Sequence, residues 1–206
     1  MNICRIMAGT YAEMIDEHRI NRRAMLLGQA ADALDAHGLR SVTIDAIAKH
    51  AGVAKVVLYR YFKSKDGLID AVLAEMVEAL LGVDAMPVEN WSERLPHTLA
   101  LARQKRAALR VLLRQAPHDP RFGRHVDHLH AVLAERTICR IRAVLGEPVA
   151  MAGDPAMLAQ IVSSFLLDAY LTWVDAGDPA RDREFLDWLV ASIRGMTLRW
   201  WKGSDE

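Results

Sequence analysis

Apolar residues recur along this chain at the three- and four-residue spacing of a buried helix face, and no segment shows the alternation of a half-buried strand. Ile44, Ile47 and Ala48 make a short stripe, and Leu68, Ile69, Val72, Leu73, Met76, Val77 and Leu80 a longer one. Further on, Met157, Leu158, Ile161, Val162, Phe165, Leu166, Ala169, Tyr170 and Trp173 leave one segment apolar around most of its circumference. Phe185, Leu186, Trp188, Leu189, Ile193, Met196 and Trp200 do the same for the next. Asp119-Pro120, Asp154-Pro155 and Asp178-Pro179 each set a capping carboxylate before a proline, whose missing N–H costs nothing in a first helical turn. These starts predict helices over about 120–145, 154–176 and 179–201. Two shorter helices are expected between 90 and 116, with Pro96 kinking or delaying the first. The fold class is all-α.

Residues 43 to 68, TIDAIAKHAGVAKVVLYRYFKSKDGL, carry the most specific pattern. Thr43 suits an N-cap, and Gly52 suits a sharp turn that needs a positive φ. Val53 plugs that turn, and a second short helix, about 54 to 61, points Leu58 and Phe62 inward. Lys55, Val56, Val57, Tyr59, Arg60 and Tyr61 share its outside, and Ser64 caps a third helix that begins at Lys65. Two packed helices in any all-α protein produce this pattern, and so does a helix-turn-helix that reads DNA. The LYRYFKSK run tips the balance, because it joins cationic phosphate donors to planar rings and no acid lies between Asp45 and Asp66. Apolar side chains read thymine methyls, while Lys and Arg read guanine O6 and N7. The expected half-site therefore mixes thymines against Val56 and Val57 with a guanine against Lys55 or Arg60.

The segment closely resembles the DNA-binding domain of the TetR family of transcriptional regulators. The shared positions are Thr43, Ile47-Ala48, Ala51-Gly52-Val53, Leu58-Tyr59-Arg60-Tyr61-Phe62, Ser64-Lys65 and Leu68. Upstream, Leu26, Leu27, Ala30, Leu34 and the His37-Gly38 helix end match as well, so the likeness covers residues 20 to 80. It implies that Thr43, Tyr59, Tyr61 and Lys65 hold phosphates, with Arg22 and Arg23 as further phosphate contacts. This chain departs from the family pattern at Ala54, where serine is usual, and at Val57, where threonine or another small residue is usual. A lost serine cap costs about 1 kcal/mol, so the recognition helix is expected to be less ordered before DNA arrives.

Charge is distributed to match. The 206 residues have a formal net charge of +0, yet from Arg19 to Lys65 nine basic residues face three acidic ones, and from Asp66 onward sixteen face twenty. A basic head on a mildly acidic body suits a DNA reader with a separate regulatory part. The expected organisation is an arm over 1–18, a helix-turn-helix domain over 19–65, a linking helix and joint over 66–86, and a ligand-binding and dimerisation domain over 87–206. The joint is placed at Gly82 to Pro87. Residues 1–18 lack the pattern of a signal peptide; they read as a flexible arm or as the product of an upstream start, given Met7 and Met14. No apolar run is read as long enough to cross a bilayer, so no membrane partner is expected. Cys4 and Cys139 are too few for a disulfide framework, which suits the cytoplasm.

His118, His125, His128 and His130 fall within thirteen residues, but without cysteine and among charged neighbours they read as helix surface, not as a metal site. No phosphate-cradling glycine loop, nucleophile elbow or zinc-protease motif occurs, so neither catalysis nor a cofactor is expected.

A helix apolar on most sides needs cover on two, one of which a second copy can supply. Ile161, Phe165, Ala169, Trp188, Leu189, Ile193, Met196 and Trp200 are the candidate homodimer interface; one large monomeric core is the alternative. His125, His128, Asp168, Tyr170 and Trp173 are candidate contacts to a small hydrophobic effector, although the same aromatics serve equally as core. The resemblance implies a ligand-responsive regulator of a double-stranded operator, a repressor released by its effector. The alternatives are an activator, a regulator answering to a protein partner, and a helical enzyme or carrier with an incidental helix-turn-helix.

Overall fold

A computed structural model describes the backbone of residues 3–146 and 154–202 and the side chains of 17–146 and 154–201. Among the described residues there is no strand, as the periodicity requires. The helices are α1 (Ile3–His37), α2 (Ile44–His50), α3 (Lys55–Phe62), α4 (Lys65–Asp84), α5 (Arg94–Gln104), α6 (Arg106–Arg110), α7 (Gly123–Leu145), α8 (Pro155–Ala176) and α9 (Asp182–Lys202). They form two compact units, 1–73 and 74–206, divided within α4.

In the first unit, α1 buries Leu26, Leu27, Ala30 and Leu34, α2 buries Ile47 and Ala48, and α3 buries Leu58 and Phe62. The first turns of α4 add Leu68, Ile69, Val72 and Leu73. Each leucine, isoleucine, valine or phenylalanine among them contributes about 1.5–3 kcal/mol relative to exposure. Helix α1 begins at Ile3, so most of the segment expected as an arm continues the first helix.

The second unit is built around α8, which packs on α5, α6, α7 and α9. By length and composition α8 is able to span a bilayer, contrary to the reading that no run approached that length. Eight of its residues, from Leu158 to Val174, are buried within the chain, as expected of a core helix. Trp201 of α9 is fully buried, packs with Leu158, Val162 and Ile193, and donates its indole N–H to the Gly146 carbonyl at 2.9 Å.

Two of the Asp-Pro starts cap as expected: Asp154 accepts from the Ala156 N–H and Asp178 from the Ala180 N–H, each at 2.9 Å. The second opens a 3-10 turn, Pro179–Arg181, that leads into α9. Asp119 makes the same bond to the N–H two residues on, but a turn follows before α7. It is buried, its carboxylate takes the Arg121 N–H at 3.1 Å, and its carbonyl accepts from both Phe122 and Gly123, which delays α7 to Gly123. Pro96 lies in the first turn of α5, where it is tolerated. A π-helical turn, Val111–Gln115, follows α6 without a sequence signal.

Arginines bind the segment expected as the joint, Gly82 to Pro87. Arg136 and Arg140 of α7 bind the Asp84 carboxylate and the Leu81 and Asp84 carbonyls, while Arg94 of α5 binds the Met86 carbonyl. The end of α4 thus belongs to the second unit. The last carbonyls of a helix lack intrahelical partners, and here Arg140 supplies one to the Asp84 carbonyl.

Candidate nucleic-acid interface

Local chemistry fixes the turn between α2 and α3. The Thr43 hydroxyl accepts the Ala46 N–H at 3.1 Å and retains its own proton for an outside acceptor. Past the end of α2, Gly52 has a φ of +63° that takes the chain into the left-handed region, and the Val53 N–H closes onto the Ala48 carbonyl at 3.0 Å. Ala54 has an N-cap backbone, φ −70° and ψ 142°, but no side-chain cap, the consequence expected of alanine there.

The orientation of α3 follows from Leu58 and Phe62, four residues apart, which are 0% and 6% exposed. On the opposite side Val56 is 68% and Tyr59 42% exposed, and Lys55 and Arg60 are exposed beside them. Val57 and Tyr61 are half-buried on the flanks. The outward group is therefore Lys55, Val56, Tyr59 and Arg60, with Val56 the better placed of the two valines to meet a base.

The turn into α4 is equally tight. Ser64 accepts the Gly67 N–H at 2.9 Å, and a Cβ on Gly67 would stand 2.3 Å from the Phe62 carbonyl oxygen. Lys65, at the first position of α4, donates to the Arg40 carbonyl at 3.0 Å. An ammonium has three N–H groups, so that bond is compatible with a phosphate contact. The Arg23 guanidinium lies over the Phe62 ring, 5.7 Å from its centroid, while Arg22 is exposed. Arg23 is thus partly spent on packing α1 against α3.

One contact escaped the reading of the sequence. Lys55 Nζ pairs with the Asp45 carboxylate of α2, 3.0 Å from Oδ1 and 3.4 Å from Oδ2. That hydrogen bond, followed by the charge attraction, holds the Lys55 ammonium above its usual pKa. The available signal was that Asp45 is the only acid between Asp35 and Asp66.

The remaining candidates lie in the second unit, in differing surroundings. Tyr170 is buried and donates to the Leu95 carbonyl at 3.3 Å, and burial pushes its phenol up. Trp173 stacks on Phe185 with centroids 4.6 Å apart and donates to Asp182 at 2.8 Å. Asp168 and His128 are exposed, and His125 is half-buried on α7. Asp168 shares the exposed face of α8 with Ile161, seven residues away, instead of the buried face that carries Tyr170. Among the interface candidates Ile161, Trp188 and Trp200 are 38%, 53% and 37% exposed. Phe165, Ala169 and Met196 are half-buried, and Phe165 meets Trp188 at 5.8 Å between centroids. Leu189 and Ile193 are 0% and 7% exposed, inside the chain's own core. Met157 and Leu198, 47% exposed each, are further outward apolar side chains of α8 and α9.

The family model for bacterial regulatory proteins of the tetR family matches residues 26–72. An uncharacterized HTH-type transcriptional regulator of Mycobacterium tuberculosis is 38% identical over 65 residues, 32% of this chain; the match spans 27% of that relative's length. The HTH-type transcriptional regulator UidR of Escherichia coli K12 is 24% identical over 185 residues, 84% of this chain and 92% of that one. Among solved structures, Salmonella enterica GusR superposes with a TM-score of 0.63 at 20% identity, covering 85% of this chain and 94% of its own, a likeness of fold. Residues 26–72 thus match the helix-turn-helix domain of the tetR family, and the rest of the chain shares the fold of its relatives.

Proposed function

We propose that the protein is a homodimeric DNA-binding transcriptional regulator of the cytoplasm, a repressor released from its operator by a small hydrophobic molecule. The carrying observation is the outward side of α3, where Lys55, Val56, Tyr59 and Arg60 are exposed while Leu58 and Phe62 anchor the helix beneath. Those four side chains combine phosphate donors with base-reading groups on one short helix. Relatives named as HTH-type transcriptional regulators support the same reading.

The exposed apolar side chains Met157 and Ile161 of α8 and Trp188, Leu198 and Trp200 of α9 support dimerisation, because a soluble monomer rarely leaves such a face uncovered. Two copies about a twofold axis would read half-sites about 34 Å apart or a multiple of that. An effector bound in the second unit needs to couple to DNA binding by only about 1–3 kcal/mol to switch it. Gel shift with DNA from beside the protein's own gene tests the reading: binding that respects sequence and weakens steeply with salt supports it. Indifference to sequence counts against it. A thermal-shift screen of small hydrophobic compounds tests the effector, since a ligand of the folded state raises its melting point.

A further inference from the structure

Lys55 stands at the first position of α3, where the positive end of the helix disfavours a cation, and Ala54 before it supplies no capping side chain. The nearby Asp45 carboxylate offsets the first of these deficits. Asp45 is itself in the first turn of α2, where a negative charge is favoured. Their side chains are 55% and 67% exposed, so the pair lies at the surface beside Val56 and Tyr59.

The charge of Lys55 is therefore met by protein before nucleic acid arrives. A phosphate offers the ammonium the same kind of contact as Asp45 and must compete for it, whatever the sequence. The carboxylate also repels phosphate oxygens, yet it is able to accept from cytosine N4, as Asp and Glu do in the major groove. Next to a G·C pair, Lys55 would meet guanine O6 and N7 while Asp45 faces a donor. Next to backbone, Asp45 meets only like charge.

We propose that Asp45 is a specificity-determining residue, which acts through Lys55 to suppress sequence-independent binding and reserve that ammonium for a guanine edge. The proposal rests on α3 being the recognition helix.

The test compares the intact protein's affinity for a duplex enriched from random-sequence DNA with that for a shuffled duplex of equal length, each across a salt series. Asp45→Asn is expected to tighten binding to the shuffled duplex about five- to tenfold, and to steepen its salt slope by about 0.9, one added phosphate contact. Binding to the enriched duplex changes less than about twofold, so the specificity ratio falls. In a Lys55→Met background, Asp45→Asn lowers the ratio much less, because only the bare carboxylate's own effect remains. Both side chains are exposed, and Asp45→Ser carries the same expectation should asparagine disturb the head. A ratio that stays constant in Asp45→Asn overturns the proposal. So does an equal fall with Lys55→Met present, which makes Asp45 a bare charge. A wild type that cannot distinguish the two duplexes defeats the DNA-reader reading and this proposal together; a discriminating wild type with an unmoved ratio defeats this proposal alone.

Discussion

The guanidinium of Arg140 meets the Asp84 carboxylate fork to fork, at 2.6 and 2.8 Å, and Arg136 adds a third bond at 3.0 Å. Burial pushes the Asp84 carboxyl up, but the two arginines outweigh it and hold the group below its usual value of 3.8. Asp84 is 16% exposed and each arginine 35%, so solvent screens the cluster only in part. Asp84→Asn is expected to cost about 1–2 kcal/mol in urea unfolding at pH 7, less than breaking a fully buried pair. Because the folded carboxyl is depressed, its contribution is complete above about pH 4 and is lost as pH falls through the folded value. The stability of Asp84→Asn should therefore fall less steeply than that of wild type below that pH.

The two ends of α3 yield predictions of opposite sign. Gly67→Ala drives a methyl into the Phe62 carbonyl, a backbone atom that has little room to move. It should lower stability by about 1–3 kcal/mol. Ala54→Ser places a hydroxyl where the backbone already has cap geometry and should raise stability by about 0.5–1 kcal/mol. Thermal melting monitored by circular dichroism reads both.

Much of this was legible in the sequence, for identifiable reasons. Thr43 and Gly52 act through neighbours within five residues, and Leu58 and Phe62 share one helix face four residues apart, so local spacing placed them correctly. Asp154 and Asp178 were legible likewise, since a cap needs only its own helix start. What escaped depends on partners far along the chain. Asp84 meets Arg136 and Arg140 more than fifty residues later, and nothing around Gly82 signals that bond. The side of α9 that faces inward was also illegible, because a helix apolar nearly all round does not declare which of Trp188 and Leu189 is covered.

That last pair separates interface from core. Leu189→Ala opens a cavity in the chain's own core and should cost about 2–5 kcal/mol. Trp188→Glu puts a charge on the outer apolar face while the core beneath stays filled. It should convert dimer to monomer in sedimentation velocity with helix content retained. A Trp188→Glu protein that remains dimeric would remove this face from the interface.

On the head, Lys65 and Val56 should fail in different ways. Lys65→Ala removes a charge at the first position of α4 and should weaken binding to every duplex similarly, with the salt slope shallower by about 0.9. Val56→Ala removes methyl groups from the most exposed apolar position of α3. It should lower discrimination of thymine at one position of each half-site by about 1 kcal/mol and leave the salt slope unchanged. Competition gel shifts with single-base variants distinguish the two.

The most direct measurement is selection of duplexes from a random-sequence pool by the wild-type protein, with an Arg60→Ala, Tyr59→Ala double variant in parallel. The wild type should enrich two inverted half-sites, centred about 34 Å apart or a multiple of that, containing guanine and thymine, and the variant should enrich none. A wild-type pool that stays random, or a variant that enriches the same sites as strongly, would contradict the assignment of α3 as the helix that reads DNA.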